Sequence, residues 1–231
     1  MLFQLPRWVW LGGFVLAWVA GLVNVVGYLS FEHQAVTHLT GTTTLLGAAL
    51  AQGQWGASGH LLAVIASFVG GALLSGLIIG DGALRLGRRY GMVLGLETIA
   101  LVLAVPLLEH ELIWGSYLAG LACGLQNGMG TTYSGAVVRT THVTGMLTDL
   151  GLALGQWLRG RAVEPRRLTL CLVVVSGFLL GALCGAHLFA ALHYAALYVS
   201  AATTFALALV YWLYRWRTHA GGLAGKDHAD R

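Results

Sequence analysis

Hydrophobic residues in this chain fall into long continuous runs and do not alternate with polar ones. Residues 11–29, 60–80, 168–189 and 190–214 contain no Asp, Glu, Lys or Arg. Each is close to the ~20 residues that carry a helix across a bilayer core. Their continuity argues against the alternating pattern of a membrane β-barrel. Two further stretches fit the same element: 91–108, interrupted by Glu97, and 112–133, which holds Gln126 and Asn127. The pattern predicts an all-α polytopic membrane protein with six long helices, at about 9–30, 60–80, 91–108, 112–133, 168–188 and 191–214. Residues 1–10 read as an amphipathic lead-in with Trp8 and Trp10 at the interface, and 53–59 as a loop.

Two shorter segments, 37–52 and 141–156, are copies of one another. The identical pairs are Thr37/Thr141, His38/His142, Thr40/Thr144, Gly41/Gly145, Thr44/Thr148, Leu46/Leu150, Gly47/Gly151, Ala49/Ala153, Leu50/Leu154 and Gln52/Gln156. Upstream, A-G-L-V-N at 20–24 parallels C-G-L-Q-N at 123–127, and F-V-G-G-A-L at 68–73 is echoed by F-L-L-G-A-L at 178–183. The chain is therefore a tandem duplication, read before any local signal. Residues 1–90 form the first membrane repeat with the first T-H-x-T-G segment, and 91–111 its third helix and an extracytoplasmic loop. Residues 112–215 form the second repeat and 216–231 a disordered polar cytoplasmic tail, all in a single membrane domain.

The charges between the runs choose between two topologies. If each T-H-x-T-G segment spans the membrane, there are eight helices in two parallel repeats, and the Arg85/Arg88/Arg89 loop falls outside. If each segment dips in and returns, there are six spans. Arg7, Arg85/Arg88/Arg89, Arg139, Arg159/Arg161/Arg166/Arg167 and Arg215/Arg217 then share the cytoplasmic side with both termini. Glu32 and Glu109/Glu111 fall outside. Only the second arrangement obeys the positive-inside rule throughout. Three spans per repeat make the repeats inverted, and this is the expected arrangement. The uncharged stretch 34–54 would still span a locally thinned bilayer, so the first stays open.

Composition agrees. Of 231 residues, 57% are hydrophobic and 10% charged, against roughly 25% charged in soluble domains. The net charge of +4 is explained by topology and not by a nucleic-acid partner. Cys123, Cys171 and Cys184 lie in apolar runs without C-x-x-C spacing, so small packing residues are expected in place of a disulfide or zinc site. No H-E-x-x-H, G-x-S-x-G or nucleotide-binding loop is present, so neither an enzyme nor a cofactor is expected.

The duplicated segments carry the candidate chemistry. Two half-helices entering from opposite faces would meet near the midplane and present free N–H groups and hydroxyls. Thr37, Thr40, Thr141 and Thr144 would cap those helices or touch solute. Gly41 and Gly145 would admit another helix or the solute. Asn24, Gln126 and Asn127 would line the site or serve as glue between helices. His38 and His142 would relay protons, bind solute or simply hydrogen-bond; without a matched carboxylate a metal is not expected. Asp149, opposite Leu45 in the other copy, would pair with His142 or Arg139 or carry a proton. Glu97 would be buried and coupled to transport, or would reach the interface.

These stretches carry a resemblance. A-G-L-V-N-V-V-G-Y-L (20–29), T-H-L-T-G-T-T-T-L-L-G (37–47), G-L-Q-N-G-M (124–129) and V-R-T-T-H-V-T-G-M-L-T-D-L-G (138–151) resemble the YoaK-like family of bacterial inner-membrane proteins of unknown function. The resemblance covers nearly the whole chain to about residue 215 and implies a multi-pass inner-membrane protein. Members of that family usually have Asp at the place of Asn24 and Asn at the place of Thr42. The residues themselves point to a small secondary transporter or channel for a small anionic or polar neutral solute. The other reading is a non-transporting membrane scaffold or regulator. The expected partners are the bilayer and the solute, and the glycine-rich faces of 60–80 and 168–188 would pack internally or against a second copy.

Overall fold

The computed structural model describes residues 7–33, 36–80, 88–133 and 140–224. Among these, all regular structure is helical: α1 (Arg7–Leu29), α2 (Leu39–Ala51), α3 (Trp55–Ile79), α4 (Arg88–Glu109), α5 (Trp114–Tyr133), α6 (Val143–Leu158), α7 (Pro165–Leu192) and α8 (Leu197–Ala224). A 3-10 turn, His193–Ala196, joins α7 to α8.

The helices form where the apolar runs predict them, with shifted ends. α3 begins at Trp55 and not near 60. Gly53 takes a left-handed φ of 68° that stops α2, and the Ser58 hydroxyl donates back to the Gln54 carbonyl at 2.9 Å to secure the new helix. α7 begins at Pro165, because a proline fits a first turn that needs no N–H from it. Arg166 and Arg167, read as loop, thus belong to that turn. α8 runs to Ala224, into the stretch read as a tail.

Among the described residues four helical stretches are long and apolar enough to cross a membrane: Trp10–Leu29, Trp55–Ile79, Arg89–Glu109 and Pro165–Leu213, the last holding both α7 and α8. α5 has 20 residues but includes Gln126 and Asn127, both buried; its polar side chains face protein. The fold is that of an apolar helical bundle, compatible with a multi-pass membrane protein.

Two stacked core layers set the helix directions. One holds Val26, Leu108, Ala119 and Leu197; the other holds Ile79, Tyr90, Leu125 and Met129, with Leu16 and Tyr211 against them. From the second layer to the first run α1, α4 and α7; α3, α5 and α8 run the opposite way. Arg89, Arg159, Arg161, Arg166 and Arg167 sit at the end where α4 and α7 start, and Glu32, Glu109 and Glu111 at the other. α2 and α6 do not fit this alternation. α2 packs on α3 and α6 on α7, the helix that follows each in the chain.

The tightest packing lies between the halves of the chain. α1 lies on α7 and α3 on α5, each pair running parallel. Gly21 is pressed against the backbone of Phe178, and Gly124 against the backbone of Phe68. Gly181 meets Trp18 and Gly71 meets Leu121 in the same manner. Small residues let helix backbones approach this closely in lipid, where hydrophobic exclusion gives no drive to associate. α4 and α8 cross antiparallel, with the Thr98 and Thr204 hydroxyls 2.9 Å apart.

This packing makes a direct forecast. Gly21→Ala and Gly124→Ala place a methyl into a neighbouring backbone and should each cost about 1–3 kcal/mol. Gly70→Ala meets nothing within 4 Å and should be neutral or stabilising by up to about 1 kcal/mol. Thermal unfolding in detergent ranks the three variants. Equal midpoints would show that the helix contacts do not hold the bundle together.

Candidate functional site

The two T-H-x-T-G segments are held by the same device. Asn24, on α1, turns its Oδ1 toward the chain entering α2. It accepts the Thr37 N–H at 3.0 Å and the Thr37 hydroxyl at 2.7 Å. On α5, the Asn127 Oδ1 accepts the Thr141 hydroxyl at 3.0 Å while its amide donates to the Cys123 carbonyl at 2.9 Å. A polar backbone group at depth in an apolar bundle is costly unless bonded. Asn24 therefore holds the first segment by backbone and side chain, and Asn127 holds the second through the Thr141 hydroxyl. Val36, next to Thr37, lies beside Gly120 with Val64 and Ser67, halfway along α3. Met146, in the first turn of α6, packs with Leu170, Cys171 and Val174 of α7.

With Thr37 and Thr141 held as tethers, the helix caps fall to the histidines. His38 and His142 are the N-cap residues of α2 and α6, with closely similar backbone angles, and neither makes a side-chain cap bond. The His38 carbonyl takes the Thr42 N–H at 3.1 Å, and that of His142 the Met146 N–H at 3.2 Å. Each ring folds back over the first turn. A Cβ on Gly41 would stand 2.8 Å from the His38 Nδ1, and one on Gly145 would overlap the His142 ring. The glycine of the motif thus makes room for its own histidine, a nearer cause than approach of another helix. Thr40 and Thr144 are exposed, and their carbonyls accept the Thr44 and Thr148 hydroxyls at 2.9 and 3.0 Å.

The remaining candidates are placed differently from one another. Gln126 donates to the Leu16 carbonyl at 2.6 Å and to the Thr140 hydroxyl at 2.9 Å, so its amide N–H groups serve as a bridge to α1. Asp149 pairs with Arg167 of α7 at 2.8 Å, and not with His142; Arg139 lies outside the described residues. Glu97 does not reach an interface. It is 1% exposed, and its Oε2 has no hydrogen-bond partner. α2 packs on α3 and α6 on α7, and the two short helices do not touch.

Some polar structure escapes the sequence. Thr140 is fully buried at the position where the first copy has Val36, and only Gln126 explains it. His60 joins Tyr117 at 2.9 Å and Glu32 at 3.6 Å, linking α3, α5 and the turn after α1. Among the described residues no group of three or more His, Cys, Asp or Glu is placed to hold a metal. Cys123, Cys171 and Cys184 are free thiols. A groove of about 340 Å³ beside Gly91, Phe205, Ala208 and Trp212 contains none of the motif residues.

The tether can be tested by substitution. Asn24→Leu leaves the Thr37 N–H and hydroxyl without an acceptor and should destabilise by about 1–3 kcal/mol. Asn24→Asp supplies the same oxygen and should be milder. Unfolding midpoints decide, and an Asn24→Leu protein as stable as the parent would show that the tether carries no weight.

The chain matches, over residues 12–210, the family described as "Protein of unknown function (DUF1275)". No curated protein and no solved structure matches it. The matched span runs from the first turns of α1 through the T-H-x-T-G segments and both tethers to the middle of α8, and on that extent the chain belongs to this family of unknown function.

Proposed function

We propose that the protein is a small secondary transporter or channel for a small anionic or polar neutral solute, built as two inverted repeats with six spans and two re-entrant half-helices. The arginine-bearing end faces the cytoplasm, in keeping with the positive-inside rule. One observation carries the proposal. In each half an Asn–Thr tether stands just before a short helix, with His38 or His142 at its cap and no side-chain bond at that cap. Half-helices with open N-termini at mid-depth are how inverted-repeat transporters meet polar solutes. Such donors favour an anion or a neutral acceptor over a bare cation. The solute would pass the exposed His38, Thr40, His142 and Thr144, with Asn24, Thr37, Gly41, Gln126, Asn127, Thr141 and Gly145 shaping the two starts. Helix directions, matched glycine contacts and the Thr98–Thr204 pair support the inverted repeat.

The scaffold reading has its own support. The Asn24, Gln126 and Asn127 side chains bond within the protein, and α2 and α6 stand apart. A second copy laid over the exposed faces of α2 and α6 would cover the polar helix starts in either case. Proteoliposome flux separates the two. Swelling with glycerol and urea, and uptake of formate and nitrate, should exceed protein-free vesicles. His38→Ala with His142→Ala should lower that flux at least about tenfold, the effect of losing roughly one good hydrogen bond. No flux above empty vesicles for any of these probes would favour the scaffold.

A further inference from the structure

Glu97 is used by none of the packing or tethering described above. It sits near the middle of α4, fully buried, between the two core layers. On its own helix it is flanked by the buried Val93, Leu94, Ala100 and Leu101. Its neighbour on α5 is Cys123. Thr98, beside it in sequence, gives its hydroxyl to the Leu94 carbonyl and meets Thr204 of α8. One turn from Thr204, the Ser200 hydroxyl is buried without a partner, as is the Glu97 Oε2.

No counter-charge faces this carboxyl among the described side chains of the elements packed on α4. On α4 itself, Arg89 donates to the Ile79 carbonyl near one end, and Tyr90 lies in the layer beside it. Glu109 is at the opposite end. On α3 the titratable group is His60, held by Tyr117 and Glu32. On α5 they are Tyr117 and Cys123, on the 3-10 turn His193 and Tyr194, and on α8 Tyr198 and Tyr211. An ionised carboxylate at such depth is expensive, and an intramembrane acid without a structural partner marks a proton or ion pathway by default. A methionine would fill the same space without that cost.

Resting on the transport reading, we infer that Glu97 is the proton-binding group that couples proton movement to the solute cycle. With the bundle closed, the carboxyl carries its proton. When one face opens, the O–H bond breaks, the electron pair stays on the carboxylate and the proton passes to an entering water. The Ser200 hydroxyl, unpartnered when the bundle is closed, turns to the carboxylate. Reprotonation from water on the other face restores the neutral acid. Nothing is oxidised or reduced.

Infrared difference spectroscopy of the full chain in lipid vesicles, with pH stepped from about 5 to about 9 across the range of buried carboxyls, reads this group without any solute. The expected result is a protonated-carboxyl C=O band that fades as pH rises, absent in Glu97→Gln and retained in Glu109→Gln. If Glu97→Gln does not fold, Glu97→Asp keeps the acid and should shift the band. No band, or a band constant through the range, overturns the proposal, as does a titration displaced by added sodium or potassium ions. In the same vesicles a pH gradient should stimulate wild-type flux, and Glu97→Gln should fall to the rate without a gradient. A titrating Glu97 in a protein that moves no solute would leave the proton site standing and remove the transport reading instead.

Discussion

Backbone amides at depth in an apolar bundle need partners, and that need shapes this molecule. Thr37, just before α2, is buried against α1. Its N–H there needs an acceptor, and a side chain provides it. Asn24 accepts both the Thr37 N–H and the Thr37 hydroxyl, and Asn127 accepts the Thr141 hydroxyl. With the threonines taken, the histidines fall at the caps and their rings lie over Gly41 and Gly145. The T-H-x-T-G pattern thus describes one compact unit: a tether, a cap, and a glycine that leaves room for the cap. Its first-turn amides stay uncapped, and they give the unit its chemical interest.

The packing between halves supports that unit. Each half lends its first long helix to the other: α1 lies on α7 and α5 on α3, with backbones brought together at Gly21 and Gly124. This exchange ties each tether to the other half, since α1 and α5 carry the asparagines. The arrangement also explains why α5, the least apolar of the long helices, lies inside. Its Gln126 and Asn127 are bonded to Thr140 and Thr141 and to the backbones of α1 and α5. A lipid-facing helix would have nowhere to place them.

Much of this was legible in the sequence. Unbroken apolar runs located the long helices, and the repeat located the short ones and paired Asn24 with Asn127. Pair contacts were not legible, because spacing along the chain does not say which helix lies opposite. Asp149 meets Arg167 only because α6 folds back on α7. Gln126 has Val23 as its counterpart, so symmetry gave no hint of its bridge to Thr140. The starts of α3 and α7 were hidden by glycines at 56 and 59 and by Pro165, all weak helix signals overridden by turn geometry and packing. Asn24 stands where the resembling family usually has Asp. Only its carbonyl oxygen is engaged, and an Asp would offer the same acceptor.

In the proposed topology α2 and α6 return the chain to the face it came from. Single cysteines at Gln54, in the turn between α2 and α3, and at Ala162, between α6 and α7, in a chain freed of Cys123, Cys171 and Cys184, test it most directly. Both positions are exposed, so an impermeant thiol reagent reaches whichever faces outward. In intact cells, labelling at Gln54 with protection at Ala162 is expected from inverted halves. The same response at both sites would mean that the short helices cross the membrane, and would contradict the inverted repeat.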